Sequence, residues 1–172
     1  MSQMIHSLFG TTLSDSLKFH HVGIAVNDVE KSRGIYEAMG YECSDVKDDP
    51  AQKVALVSCA RSNEPLIELI CPTADDAPCS RYLSVNGPGP YHVCYETSDI
   101  DNSIKAFANS SIRYKTVSNS PAKSVLFPDS VFMFIYVPDV GLVELIQSTG
   151  PDKKVRHPGG ATRGTGGVIN GR

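Results

Sequence analysis

Two histidine-bearing strands, answered at matched intervals by two glutamate-bearing strands, constrain this chain more than any other feature. Phe19-His20-His21-Val22-Gly23-Ile24-Ala25-Val26 reads as a strand: short, β-branched and apolar, closed by the turn-forming pair Asn27-Asp28. Pro90-Tyr91-His92-Val93-Cys94-Tyr95-Glu96-Thr97 reads the same way and runs into the acidic turn Ser98-Asp99-Ile100-Asp101. The apolar runs Pro65–Cys71 and Gly141–Gln147 each carry one glutamate, Glu68 and Glu144. His21 and His92 are 92 − 21 = 71 residues apart, and the glutamates 144 − 68 = 76. The chain reads as a tandem duplication, each half opening on a histidine strand and ending on a glutamate strand.

Side chains alternate across a strand, so His21, Gly23 and Ala25 share one face, and His20, Val22, Ile24 and Val26 the other. The first face is an imidazole followed by two very small side chains. It leaves room beside a histidine, which a metal or ligand cavity needs. Glu68 shares a face with Leu66 and Ile70, and Glu144 with Leu142 and Ile146. A carboxylate at the centre of an apolar strand is costly unless it is paired or bound to a cation. Taken singly, a strand histidine is more often a hydrogen-bonded core residue, and a strand glutamate more often faces solvent. The paired spacing favours a joint reading: His21, Glu68, His92 and Glu144 as an N₂O₂ set for a divalent ion. His20 and Glu96 compete for these roles. Alternation allows only one of His20 and His21 to line the cavity, while Glu96 shares a face with His92 and is a candidate neighbour of the site. His6 and His157 fall in terminal segments expected to face solvent.

The predicted fold is α+β: tandem βαβββ modules with curled mixed sheets around a metal cavity. The first module spans about residues 19–71 and the second 90–147, with a linker over 72–89 holding a short helix around Cys79–Val85. In the first, Asp28 caps a helix running to about Met39, with Val29, Ile35 and Met39 available for burial. Strands then follow at Tyr41–Val46, Lys53–Ala60 and Pro65–Cys71, with a turn at Lys47–Pro50. In the second, a helix over Asp99–Ser110 turns Ile104 and Phe107 inward. Its strands are Ile112–Val117, Ser124–Phe127 with Val131–Val137, and Gly141–Gln147. Residues 1–18 form an N-terminal arm and 148–172 a Gly-rich flexible tail, of which residues 150–172 should be dispensable for folding.

Composition narrows the class. With 41% hydrophobic and 20% charged residues the chain is globular, not disordered. A formal net charge of −3, with no run of Lys or Arg, gives no footprint for nucleic acid or anionic membrane. No apolar span is long enough to cross a bilayer, and the first residues lack a signal-peptide core. The five cysteines form no C-x-x-C pair and read as small buried thiols in a reducing cytosol, which makes the expected address cytoplasmic.

Across residues 19–147 the chain resembles the vicinal oxygen chelate superfamily, the glyoxalase/bleomycin resistance/dioxygenase-like fold. His21-Val-Gly-Ile-Ala-Val, Ile67-Glu68-Leu-Ile-Cys-Pro72, Tyr91-His92-Val-Cys-Tyr-Glu96 and Val143-Glu144-Leu-Ile-Gln147 look most like methylmalonyl-CoA epimerases. The ligand set is similar to that of bacterial, nickel-type glyoxalase I. Two departures stand out. The third strand, Lys53–Ser58, carries no acid where one bacterial type of epimerase has a catalytic glutamate, and Pro138-Asp139-Val140-Gly141 only partly matches the turn before the last glutamate of glyoxalase I.

The resemblance implies a divalent ion (nickel, cobalt, manganese or zinc) held by His21, Glu68, His92 and Glu144, with two positions open to substrate oxygens. It implies a metal-dependent isomerase, an epimerase. Glu144 is the expected catalytic base, removing a proton next to a carbonyl while the ion stabilises the enolate. Gln52 is a weaker candidate for substrate contact. The expected partner is a small-molecule substrate, an acyl-CoA or related oxo compound, and the expected assembly a homodimer. Alternatives are a glyoxalase I-like lactoylglutathione lyase and a non-catalytic small-molecule-binding protein. The four-residue ligand set argues against the second, and against an extradiol dioxygenase, which needs three open positions.

Overall fold

The computed structural model describes residues 13–151. His6, His157 and most of the expected arm and tail lie outside the described residues. After a short α1 (Leu13–Ser16), β1 (Lys18–Ala25) leads to α2 (Val29–Ala38), then β2 (Glu42–Cys43), β3 (Lys47–Asp49), β4 (Val54–Ala60) and β5 (Leu66–Pro72). After α3 (Ser80–Asn86) the plan repeats: β6 (Gly89–Glu96), α4 (Ile100–Asn109), β7 (Lys115–Thr116), β8 (Ala122–Lys123), β9 (Ser130–Val137) and β10 (Gly141–Ser148). The two longer helices start alike. The Asp28 carboxylate accepts from Lys31 N–H, and the Asp99 carboxylate from Asn102 N–H.

The strands form one unclosed mixed sheet, in the order β2-β4-β5-β1-β6-β10-β9-β7, with β3 on β4 and β8 on β9. The halves mirror each other. β1 runs parallel to β5 and β6 parallel to β10, while β1 and β6 join antiparallel at the centre. The expected α+β architecture with a mixed sheet is therefore present, with the two curled sheets fused into one. The sheet curves far enough for Val54, Leu56 and Ile70 of the first half and Phe132, Phe134 and Leu142 of the second to line one cavity.

The flanks depart from expectation. The strands predicted at 41–46 and 112–117 shrink to two residues each, and the predicted turn at 47–50 begins as β3, a charged edge strand on Val54–Leu56. Ser124–Phe127 is a turn, not a strand: Phe127 N–H donates to Ser124 Oγ at 2.9 Å, and the ring is driven into the core at 1% exposure. On α2 the helical phase differs. Val29 and Tyr36, seven residues apart, pack on the sheet, while Ile35 and Met39 stay about half exposed at 52% and 50%. Ile104 and Phe107 of α4 face inward as expected.

The apolar interior has three parts. One lies between α2 and the sheet (Val26, Val57, Leu69), and an equivalent one lies under α4 (Ile100, Ile135, Leu145). The third surrounds the cavity and includes Leu56, Ile70, Phe127, Phe132 and Ile146. The reading of five free thiols is corrected. β2 pairs with β4 so that Cys43 faces Cys59, with Cα atoms 4.0 Å apart, and the two form a disulfide. Cys71, Cys79 and Cys94 are free. A separation of 16 residues did not reveal this pair, because strand register created it. With two of the five cysteines bonded, cysteine usage no longer points to a reducing compartment. No described helix is long and apolar enough to cross a membrane.

Candidate metal centre

His21, Glu68, His92 and Glu144 come from β1, β5, β6 and β10, the four adjacent central strands. Two rows of the ladder carry them. In one, Glu68, Gly23, His92 and Leu142 lie side by side; in the next, Leu66, His21, Cys94 and Glu144 do. In each row a small residue, Gly23 or Cys94, sits beside the ligand candidates and lets larger side chains lean together. The space that the sequence predicted beside His21 is taken by the other histidine: a Cβ added at Gly23 would fall 2.2 Å from His92 Cε1.

The four side chains converge. His21 Nε2 lies 3.1 Å from His92 Nε2, 3.2 Å from Glu68 Oε2 and 3.5 Å from Glu144 Oε2. His92 Nε2 lies 3.3 Å from Glu68 Oε2 and 2.9 Å from Glu144 Oε2. All are buried, at 0% for His21, 7% for Glu68, 3% for His92 and 5% for Glu144. Their ligand atoms all lie within 4.8 Å of one another, so the cluster could hold a metal ion. Neighbouring ligands bonded at about 2.1 Å to one ion sit about 3.0 Å apart at right angles, which the measured spacings bracket. The donors, two imidazoles and two carboxylates, are those that nickel, cobalt, manganese and zinc accept.

The electrostatics agree with that fit. Burial alone would lower the His21 pKa, but Cys94, Glu68 and Glu144 around it raise it well above 6.5. His92 is raised too, its burial outweighed by hydrogen bonds and charge from Glu144 and Glu68. Burial alone would raise Glu68 and Glu144; the charge and hydrogen bonds of His21 and His92 hold both below the usual carboxylate range. The ring protons thus balance two buried negative charges, and one dication in their place would balance them equally. Cys94 is pushed up by burial first and then by Glu144, and stays a neutral thiol.

Sequence reasoning missed four neighbours. His20, expected on the opposite face, turns its ring to His21: the Nδ1 atoms are 2.7 Å apart. Phe127 stacks on His21 with centroids 5.3 Å apart and planes at 27°. Cys94 Sγ lies within 4.8 Å of ring nitrogens of both His20 and His21. Asp49, read as part of a turn, is buried at 4% and lines the cavity. Its carboxylate accepts from Ala51 N–H, Gln52 N–H and the Gln52 amide Nε2 at 2.9–3.1 Å. The Asp-Pro pair at 49–50 was the available signal. Gln52, the weaker candidate, lines the cavity as well. Glu96 is not in the cluster; it pairs in register with Lys18 at the end of β6. The cavity has a volume of about 320 Å³.

The sequence and the fold have counterparts among known proteins. The profile of the Glyoxalase/Bleomycin resistance protein/Dioxygenase superfamily matches residues 20–126. Mitochondrial methylmalonyl-CoA epimerase of Mus musculus is 30% identical over 135 residues, covering 76% of this chain and 73% of that protein. Among solved structures, methylmalonyl-CoA epimerase from Mycobacterium tuberculosis superposes with a TM-score of 0.67 at 22% identity, covering 85% of this chain and 95% of the other. A methylmalonyl-CoA epimerase in complex with methylmalonyl-CoA and NH4+ gives 0.66 at 23% identity, covering 83% of this chain and 99% of the other. The chain belongs to the glyoxalase/bleomycin resistance protein/dioxygenase superfamily and, within it, to the methylmalonyl-CoA epimerase family. Its relatives there are enzymes, isomerases, as the sequence led us to expect.

Proposed function

We propose that this chain epimerises methylmalonyl-CoA or a closely related 2-carboxyacyl-CoA, with His21, Glu68, His92 and Glu144 holding a divalent ion. The observation that carries the reading is the convergence of those four buried donors within 4.8 Å in a chain of this family. When bound, the ion supplies Lewis-acid stabilisation of negative charge developing on substrate oxygens. The substrate carbon lies between a thioester carbonyl and a carboxylate, so its proton is acidic enough for a positioned carboxylate to take. Glu144 is the base in this reading: Glu68 and Glu144 are both cluster members that line the cavity, and the resemblance to families whose last-strand glutamate has this role chooses between them. Inversion requires a proton to return to the opposite face of the planar carbon. Asp49, the one carboxylate lining the described cavity outside the cluster, is held as an acceptor by three N–H donors, so we assign it to fixing Gln52 and not to that return. Gln52, anchored by Asp49, offers an amide to the substrate carboxylate.

A groove of about 1090 Å³ shares Tyr91, His92 and Leu142 with the cavity. It carries Arg81 beside the exposed apolar side chains Val85 and Val140. That combination suits a long acyl carrier ending in phosphates. The two-carboxylate ligand set keeps a glyoxalase I-like lyase acting on a hemithioacetal as the second reading. The proposal takes residues 19–147, built from repeats 19–71 and 90–147 with linker 72–89, as the catalytic unit. It includes a homodimer, checked by light scattering, and a cytoplasmic address, checked by fractionation against the mitochondrial one in the name of the mouse relative.

The test is metal analysis of the purified protein, followed by proton–deuterium exchange at the 2-position of methylmalonyl-CoA, before and after chelation. Exchange that disappears on chelation and returns with added cobalt(II) or nickel(II) supports the proposal. Turnover of a hemithioacetal with no exchange of the acyl-CoA would favour the lyase.

A further inference from the structure

We infer that His20 is a positioning residue for His21: His20 Nδ1 accepts the proton of His21 Nδ1 and so fixes the tautomer whose Nε2 lone pair points into the cluster. This rests on the reading above that the cluster holds a divalent ion.

The backbone brings the two rings together. In the β1–β6 ladder Phe19 pairs with Tyr95 and His21 with Cys94, so the register shifts by one residue at His20. A shift of this kind is a β-bulge, which breaks alternation and re-aims a side chain. The rings of His20 and His21 meet with centroids 5.0 Å apart and planes at 72°. Both are buried, at 7% and 0%. Phe127 touches both, edge-on to His20 at 4.9 Å and stacked on His21, so neither ring turns without disturbing the other.

Tautomer logic then assigns the roles. Nδ1 atoms 2.7 Å apart need one donor and one acceptor, and a metal takes His21 in its neutral form. If His20 donated, His21 would carry its own proton on Nε2 and could not offer that atom to a metal. If His21 donates, its Nε2 is free to ligate, and His20 carries its proton on Nε2. A metal-bound histidine is held in this way by the partner of its other nitrogen. The second repeat differs: His92 Nδ1 is buried with no hydrogen-bond partner among the described residues. The orienting device therefore belongs to the first repeat. Cys94, whose Sγ lies within 4.8 Å of ring nitrogens of both histidines, is the rival partner, but a thiol is the weaker acceptor.

The experiment titrates chelator-stripped full-length protein with cobalt(II), by calorimetry and by visible absorption, in wild type, His20→Leu, His20→Asn and Cys94→Ala. Leucine fills the space without an acceptor; asparagine restores an oxygen near the Nδ1 position. We expect one ion per chain and a loss of affinity of roughly 10–100-fold in His20→Leu. His20→Asn and Cys94→Ala should stay close to wild type. Equal binding by His20→Leu and wild type, or equal weakness in His20→Leu and His20→Asn, would overturn the inference. So would a loss confined to Cys94→Ala, which would make the thiol the orienting group. A second cobalt ion lost only in His20→Leu would make His20 a ligand itself and overturn it too. A wild-type chain that binds no cobalt brings down the metal reading and this inference together, whereas normal wild-type binding isolates the failure to His20.

Discussion

A methyl group added at residue 23 would enter the His92 ring, with Cε1, Nδ1 and Nε2 at 2.2, 2.5 and 2.6 Å from the new carbon. The clash is with the flat side of an imidazole held in a packed site, so the ring must move off the cluster. We expect Gly23→Ala to lose cobalt binding and activity together, at an overpacking cost of about 1–3 kcal/mol in stability. Calorimetry with cobalt(II) and a thermal melt check it; unchanged affinity would mean that His92 is not needed where it stands. Glu144 makes a different demand. In Glu144→Gln an oxygen ligand survives but the base does not, so metal binding should largely persist while substrate proton exchange falls by roughly 10²–10⁴-fold. If exchange continues at the wild-type rate with metal bound, Glu144 is not the base, and Glu68 is the next residue to substitute.

The helices repeat one device and the strands another. Asp28 and Asp99 each stand just before a ten-residue helix and accept the N–H three residues on, at 2.9 Å in both. Replacing either by alanine leaves that donor without its cap and should cost about 0.5–2 kcal/mol, read from urea denaturation. A somewhat larger loss is expected at Asp99, whose second oxygen also accepts from Asn102 Nδ2 at 3.0 Å; a loss at one site only would show that the repeats do not share their load. These caps were legible in the sequence because a cap is a local event. The four central strands were legible for a related reason: alternation puts His21, Glu68, His92 and Glu144 on definite faces, and repeated spacing selects the shared one. What was illegible depends on register. A one-residue register shift at His20 returned it to the face of His21. The pairing of a two-residue strand made Cys43 and Cys59 partners. The turn closed by Ser124 sent Phe127 into the site from a segment that had looked like a strand.

For the molecule as a whole, the cluster is the densest group of buried titratable side chains in the described fold. Its effect on stability has a predictable sign in the metal-free protein. Glu68 and Glu144 are depressed below their ordinary value near 4.5, so their contribution is complete above that pH and is lost as the pH falls through their folded values. His21 and His92 are raised above 6.5, so theirs is complete below that pH and is lost as the pH rises through their folded values. The chelated protein should therefore be most stable between about pH 4.5 and 6.5 and should weaken on both sides. Deprotonated rings leave two buried carboxylates facing each other, and a divalent ion relieves that repulsion. Saturating cobalt(II) should accordingly raise the melting temperature more at pH 8 than at pH 5.5 and flatten the alkaline limb. Scanning fluorimetry at constant ionic strength, with chelator and with cobalt(II), reads both limbs. A chelated protein whose melting temperature holds steady or rises between pH 6.5 and 8.5 would show that the imidazoles are not charged in the metal-free fold. The carboxylates would then have to draw their stabilisation from a source other than His21 and His92.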